Sequence, residues 1–235
     1  MDKQKLVVSS IILAIGVVVL GFCIKAGLDS FANNSRVVTV KGLAEREVKA
    51  DKVIWPIVYK ELGNDLATLY NTVNTKNKIV LDMLREKGIT NNEINTSIDV
   101  TDMQADSYSA DRSPYRYRVS SIITVNTNKV DAVRELLDRQ LSLIQKGVAV
   151  TFSNYSYPSI QFDYTGLNTV KPDMIKEATK NARKAAEQFA SDSESTLGKI
   201  KSANQGQFSI EDRDQNTPYI KKIRVVTTIQ YMLED

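Results

Sequence analysis

The stretch KVIWPIVYKEL, residues 52–62, decides the fold. Val53, Trp55, Ile57 and Tyr59 recur at every second position, the spacing of a strand with one apolar face. Pro56 lies among them. It has no backbone N–H to donate, which predicts an edge position or a bulge. The period then changes. Leu66, Leu69, Tyr70, Val73, Val80 and Leu84 follow helical spacing over residues 64–87. Asn64 is placed to cap that helix and Gly88 to end it.

Further along, residues 93–107 alternate through Ile94, Thr96, Ile98 and Val100, a second strand. A polar loop over 105–114 carries Tyr108, and Tyr117, Val119, Ile122, Ile123 and Val125 mark a strand over 115–126. Asn128 opens another helix with Val130, Val133, Leu136, Leu137 and Leu141 on its inner side, and Gly147 lies just beyond its end. Residues 148–164 read as extended, broken by Pro158. Residues 52–164 therefore have the βαββαβ order of a ferredoxin-like split unit.

The flanks complete the expectation. Residues 36–50 read as a strand, and 49–51 as a tight turn into residue 52. A third helix has Pro172 in its first turn and the apolar line Ile175, Ala178, Ala182, Ala185 or Ala186, and Phe189, with Leu197-Gly198 closing it. Strands over 199–210 and 219–233 end the chain, the last carrying Ile223, Val225, Thr227, Ile229 and Tyr231 on one face. The fold class expected is α+β, an antiparallel or mixed sheet with helices packed on one face.

The N-terminus adds a different element. The run LVVSSIILAIGVVVLGFCI, Leu6 to Ile24, is uncharged, with Lys3 and Lys5 before it and Lys25 after. As a helix its 19 residues span about 28 Å, close to the ~30 Å hydrocarbon core of a bilayer. One reading is a signal anchor at residues 1–26 and a tether at 27–35, with one exported domain at 36–235. The other is a cleaved secretory signal. The run is longer than an ordinary signal core, and the small-x-small site Ser30-Phe31-Ala32 is distant from it, so the anchor is the expectation. The two lysines place the N-terminus in the cytoplasm and the domain outside it. Phe22 precedes Cys23, where lipidation needs a small residue.

Composition removes several chemistries. The chain has no histidine and a single cysteine, Cys23, inside the apolar run. That excludes disulfides, thiol catalysis and the Ser-His-Asp and Cys-His constellations from the exported part. Beyond Lys25 stand 28 basic and 27 acidic residues, a balance that gives no basic face for nucleic acid. Asp212-x-Asp214-x-Asn216 resembles half a calcium loop, but Thr217 and Ile223 stand where glycine and glutamate are required, so a solvated turn is expected. No catalytic residue, cofactor site or metal site is assigned. The candidate contact cluster is Tyr108, Arg112, Tyr115 and Tyr117, with Arg116 and Arg118 beside them. Aromatics with arginine are the composition of interface hot spots. The structural alternative is a tyrosine pair capping the sheet end.

The ordered set of short segments over the exported part resembles the SIMPL-domain family, which includes periplasmic immunogenic proteins of bacteria. The segments are VTVKG at 38–42 with Ala44-Glu45 and Ala50-Asp51, KGI at 87–89 with INT at 94–96, and Glu177-Ala178, Asn181-Ala182-Arg183, Lys184-Ala185 and Leu197-Gly198. GLNTVKPDMIKEA at 166–178 is similar to a membrane-anchored branch. The resemblance implies an envelope location, an α+β fold, self-assembly into a homo-oligomer and a link to oxidative-stress tolerance. It carries over no catalytic residue. The function expected is a non-enzymatic envelope protein acting by self-assembly or by binding an envelope protein partner. A periplasmic small-molecule or ion carrier and a histidine-free hydrolase are the alternatives.

Overall fold

The computed structural model of the protein describes residues 3–33, 36–105, 114–139, 141–151 and 159–234. The architecture is α+β, with two antiparallel sheets where the sequence suggested one. Two compact units share the chain. The first comprises residues 1–46, 170–209 and 224–235, and the second comprises 47–169 and 210–223.

The N-terminal helix α1, Lys3–Asn33, is one continuous element. Its span Ile11–Leu28 has a mean hydropathy of 2.5 and is long and apolar enough to cross a membrane. The expected tether at 27–35 is mostly helix, because Ala26 and Leu28 carry good helical propensity past Lys25.

Three strands form the body of the first unit's sheet: β1, Val37–Lys49; β7, Thr196–Gln205; and β9, Ile220–Glu234. Their order is β1-β9-β7, and β8, Ser209–Asp212, also pairs with β9. Helix α5, Leu167–Asp192, packs on this sheet through Ala182 and Ala186 against Val38, Ile229 and Tyr231. The inward line of α5 is Met174, Ala178, Ala182, Ala186 and Ala190. That corrects the expected line, since Ile175 is only half-buried and Phe189 is exposed. The cause is proximity. A Cβ on Gly42 would overlap Ala178 O and Ala182 N, so the helix passes β1 at a separation only alanine and glycine permit. Pro172 sits at the sixth position of α5, in its second turn, where it leaves the Asn168 carbonyl without its helical donor. The end of α5 is also earlier than expected, and Leu197 and Gly198 lie in β7.

The second unit is built on the opening stretch. Strand β2, Lys52–Gly63, pairs antiparallel with β4, Tyr117–Thr127, from Val53 opposite Thr127 to Gly63 opposite Tyr117. Strand β3, Ile94–Asp102, pairs with the far side of β4, and β5, Val150–Thr151, and β6, Gln161–Asp163, both pair with β2. So β2 is central, not an edge as Pro56 suggested. Pro56 falls between the β6-paired residues 52–54 and the β5-paired residues 58–59, where no second strand among the described residues needs its N–H. Helices α2, Leu66–Glu86, and α3, Val130–Asp138, cover one face. Val73, Val80 and Leu84 of α2 and Val133 and Leu136 of α3 meet Trp55, Ile57, Tyr59, Ile123 and Val125 in one buried cluster. The expected helix from Asn128 is two, α3 and a short α4, Leu141–Gln145. Leu141 is exposed, and Leu143 takes the buried place. Asp65, not Asn64, caps α2, its carboxylate accepting from Thr68 N at 2.7 Å.

Candidate functional site

The alternation that makes β3 a strand also exposes it. Ile94, Thr96, Ile98 and Val100 face the helix side of the sheet, because they register with Val125, Ile123, Ser121 and Val119 of β4. Helix α2 packs over β2 and β4, so the end of β3 beyond Ile94 is only partly covered. Leu66, Tyr70 and Val73 of α2, Ile98 and Val100 of β3, and Val119 of β4 consequently line an apolar groove of about 250 Å³. Tyr70 is 63% exposed, Val100 52% and Ile98 45%. Among the described residues no strand pairs with the far side of β3.

A buried hydrogen-bond network lies beneath Val73 in the groove. The buried Tyr59 hydroxyl donates to Val73 O at 2.9 Å and lies 2.7 Å from Asn77 Oδ1, to which Ser121 Oγ also donates at 2.7 Å. Burial pushes the Tyr59 hydroxyl up to about 12, against the hydrogen bond with Ser121, so it stays a donor at neutral pH. Glu61 and Lys76 pair beside this network.

Both ends of β3 are clamped. At its start, Glu93 accepts from Thr127 Oγ1 at 2.5 Å, from Thr90 N at 2.7 Å and from Lys129 Nζ at 3.1 Å. The Thr127 hydroxyl, then the Thr90 N–H, hold its carboxyl down to about 2, although burial opposes them. At its finish, Asp102 accepts from Arg116 Nε at 3.0 Å. Burial alone would raise that carboxyl, but the bonds from Arg116 and from the Ala105 and Gln104 N–H groups outweigh it and hold it below the usual range. Asn64 accepts from Arg116 N at 2.8 Å, tying the start of α2 to the foot of β4.

Of the expected contact residues, Tyr108 and Arg112 lie outside the described residues. Tyr115 is exposed, and Tyr117 packs on the core with Arg116 stacked 4.9 Å from its ring centre. Tyr117 stands opposite Asp102, one same-face step along β4 from the groove residue Val119. Among the described residues none of the expected contact residues lines the groove, and the sequence reading missed its residues because Leu66 and Tyr70 keep the spacing of core residues. The usable signal was on β3: its outward residues Asn95, Ser97, Asp99 and Thr101 are all small and polar, with a charge in mid-strand, as on an edge.

Elsewhere the chemistry is structural. Asp214 accepts from the Asn216 and Thr217 N–H groups at 2.9 and 2.8 Å, and Asp212 pairs with Lys221, which makes the calcium-like segment a hydrogen-bonded turn. Asp51 accepts from Thr165 N at 2.8 Å and Gly166 N at 3.0 Å, satisfying the backbone just before α5. Among the described residues no cluster of three or more cysteines, aspartates and glutamates could hold a metal ion.

No curated protein matches the chain. The model of the SIMPL family, described as a protein of unknown function (DUF541), matches residues 38–230. That match runs from the start of β1 into the last strand, and the chain belongs to the SIMPL family.

Proposed function

We propose that the protein is a non-enzymatic component of the bacterial cell envelope, held in the inner membrane by α1 with its folded part in the periplasm. It works by protein contact, through self-assembly or a bound envelope protein. The observation that carries this reading is the apolar groove between α2 and β3, exposed beside a strand edge that no strand among the described residues pairs. Such an edge accepts a further strand through its backbone, and the apolar residues next to it supply affinity. Among the described residues no Asp, Glu, Lys or Arg lines the groove, which suits contact better than catalysis. Its 250 Å³ lies below the ordinary range of small-molecule pockets, which disfavours the carrier reading. Oxidative-stress tolerance is the physiological setting that the family resemblance supplies for this role.

The direct test is a photo-crosslinking residue at position 98 of the intact protein in native membranes. Adducts of discrete mass are expected there and not from the same residue at position 177. Equal yields at the two positions, or none at 98, would overturn the assignment. A C-terminal reporter active only outside the cytoplasm is the expected topology result, and a cytoplasmic signal would contradict it.

A further inference from the structure

The backbone groups on the open edge of β3 are arranged symmetrically about its middle residue. Bonded and non-bonded pairs alternate along an antiparallel ladder. Met103 N donates to Arg116 O at 2.8 Å, in the register that sets Asp102 opposite Tyr117. The odd-numbered residues of β3 therefore spend their backbone groups on β4, and Thr96, Ile98 and Val100 turn theirs to the open edge. The two ends agree with this alternation. Ile94 N is turned to Asn91 O, and Asp102 O accepts from Ala105 N at 3.2 Å. The edge thus has one spent group at each end and open groups between. It carries no proline, lysine or bulge, the devices that ordinarily keep a further strand away.

On the reading that this surface makes protein contacts, we infer that its occupant is a second copy of the chain, β3 pairing antiparallel with β3 of that copy about a two-fold axis at Ile98. This register pairs all nine residues of the strand, Ile94–Asp102. Ile98 meets Ile98, and Thr96 meets Val100, through the backbone groups that face outward. The two spent groups, Ile94 N and Asp102 O, fall opposite each other, so neither costs a bond. On the polar face Asp99 stands opposite Ser97, whose hydroxyl can donate to the carboxylate, and Asn95 stands opposite Thr101. Shifting the axis to Asp99 sets two carboxylates face to face and points Thr96 N at the spent Asp102 O. Shifting it to Ser97 points Val100 O at the spent Ile94 N. The charge in mid-strand therefore selects the register and does not forbid pairing. The helices leave room. Because α2 lies over β2 and β4, and strands stand about 4.8 Å apart, the two α2 helices are about 19 Å from each other. Helices in contact stand at roughly 8–10 Å. The exposed Ile98, Val100 and Tyr70 of both copies line the space between them, which joins the two grooves into one apolar surface.

The test is disulfide trapping of the intact protein in native membranes, with Cys23→Ser removing the only natural thiol. Single cysteines replace Ser97, Ile98, Asp99 or, as a collision control, Glu177, and a fifth variant carries Ser97→Cys with Asp99→Cys. Opposed residues of a bonded pair have Cα atoms about 5.5 Å apart, within disulfide reach. Residues 97 and 97 of the two copies, or 99 and 99, are diagonal, at about 7–8 Å. After mild oxidation the mass should double for Ile98→Cys and for the double variant, and the other single variants should stay at the level of position 177. A maximum at 97 or 99 alone overturns the inference, since the register would then be another. Equal yield at 98 and 177 also overturns it. In that case a photo-adduct at position 98 with a different protein leaves the contact reading standing, and absence of any photo-adduct there removes that reading too. Circular dichroism of each variant identifies any that fails to fold, and the double variant carries the test if Ile98→Cys is one of them.

Discussion

Three helices end on the same backbone device, and the residue at its strained position differs. In a Schellman ending one residue adopts positive φ while the next N–H reaches back to the carbonyl five residues earlier. Gly88 does this after α2, with Ile89 N donating to Leu84 O at 3.1 Å. Gly147 does it after α4, with Val148 N on Leu143 O at 2.9 Å. After α5 the position is held by Glu194 at φ 55°, with Ser195 N on Ala190 O at 2.9 Å. A side chain there carries a steric penalty that glycine lacks, partly offset by the entropy glycine loses on folding. Glu194→Gly should raise stability by about 0.5–1 kcal/mol in urea unfolding, and a loss of similar size would show that the side chain is used. Gly42→Ala should cost at least ~3 kcal/mol, because the new methyl meets helix backbone that cannot yield. An unchanged midpoint would mean that α5 stands farther from β1. Phe189→Ala should stay within ~0.5 kcal/mol of the parent in the solubilised protein, as for an exposed residue. A loss near 3 kcal/mol would return the ring to the core. The two glycine endings were legible in the sequence because glycine is the residue that such a turn selects. The third was not, since nothing about Glu194 advertises positive φ.

At the scale of elements, the period-two stretches were the most legible. Ile223, Val225, Thr227, Ile229 and Tyr231 are all buried on one face of β9, as their alternation requires. Helix faces were harder. In α5 the larger residues Ile175 and Phe189 drew the expected line away from Met174, Ala178, Ala182, Ala186 and Ala190. What selected alanine was the close approach of β1, a tertiary fact with no local signature. Strand β3, which lines the groove of the proposed contact, is held at its two ends by clamps. The carboxyl of Glu93 titrates near 2 rather than 4.5 because its charged form is hydrogen-bonded in the folded state. Its contribution is therefore complete above pH 4.5 and is lost as pH falls through 2. Glu93→Gln should cost about 1–3 kcal/mol at pH 7, and the gap to the parent should close between pH 4.5 and 2. A gap that stays constant with pH would show that the clamp works by shape and not by charge.

The whole molecule joins an apolar N-terminal helix to a SIMPL fold whose exposed apolar surface lies along one strand edge. The chain showed its apolar helix openly, because nineteen consecutive uncharged residues stand out in any hydropathy reading. It hid the groove, because exposure of Leu66, Tyr70, Ile98 and Val100 depends on which strand lies outermost, and strand order is not written in any single stretch. Contact through that groove is the central claim, and mass measurement of the intact detergent-solubilised protein after crosslinking in its native membrane tests it most directly. The parent should run as a discrete oligomer or a defined heteromer, and Val100→Asp, on a half-exposed side chain, should release the monomer while its circular dichroism is retained. A parent that is monomeric at every concentration, or a variant that assembles as the parent does, would contradict the account.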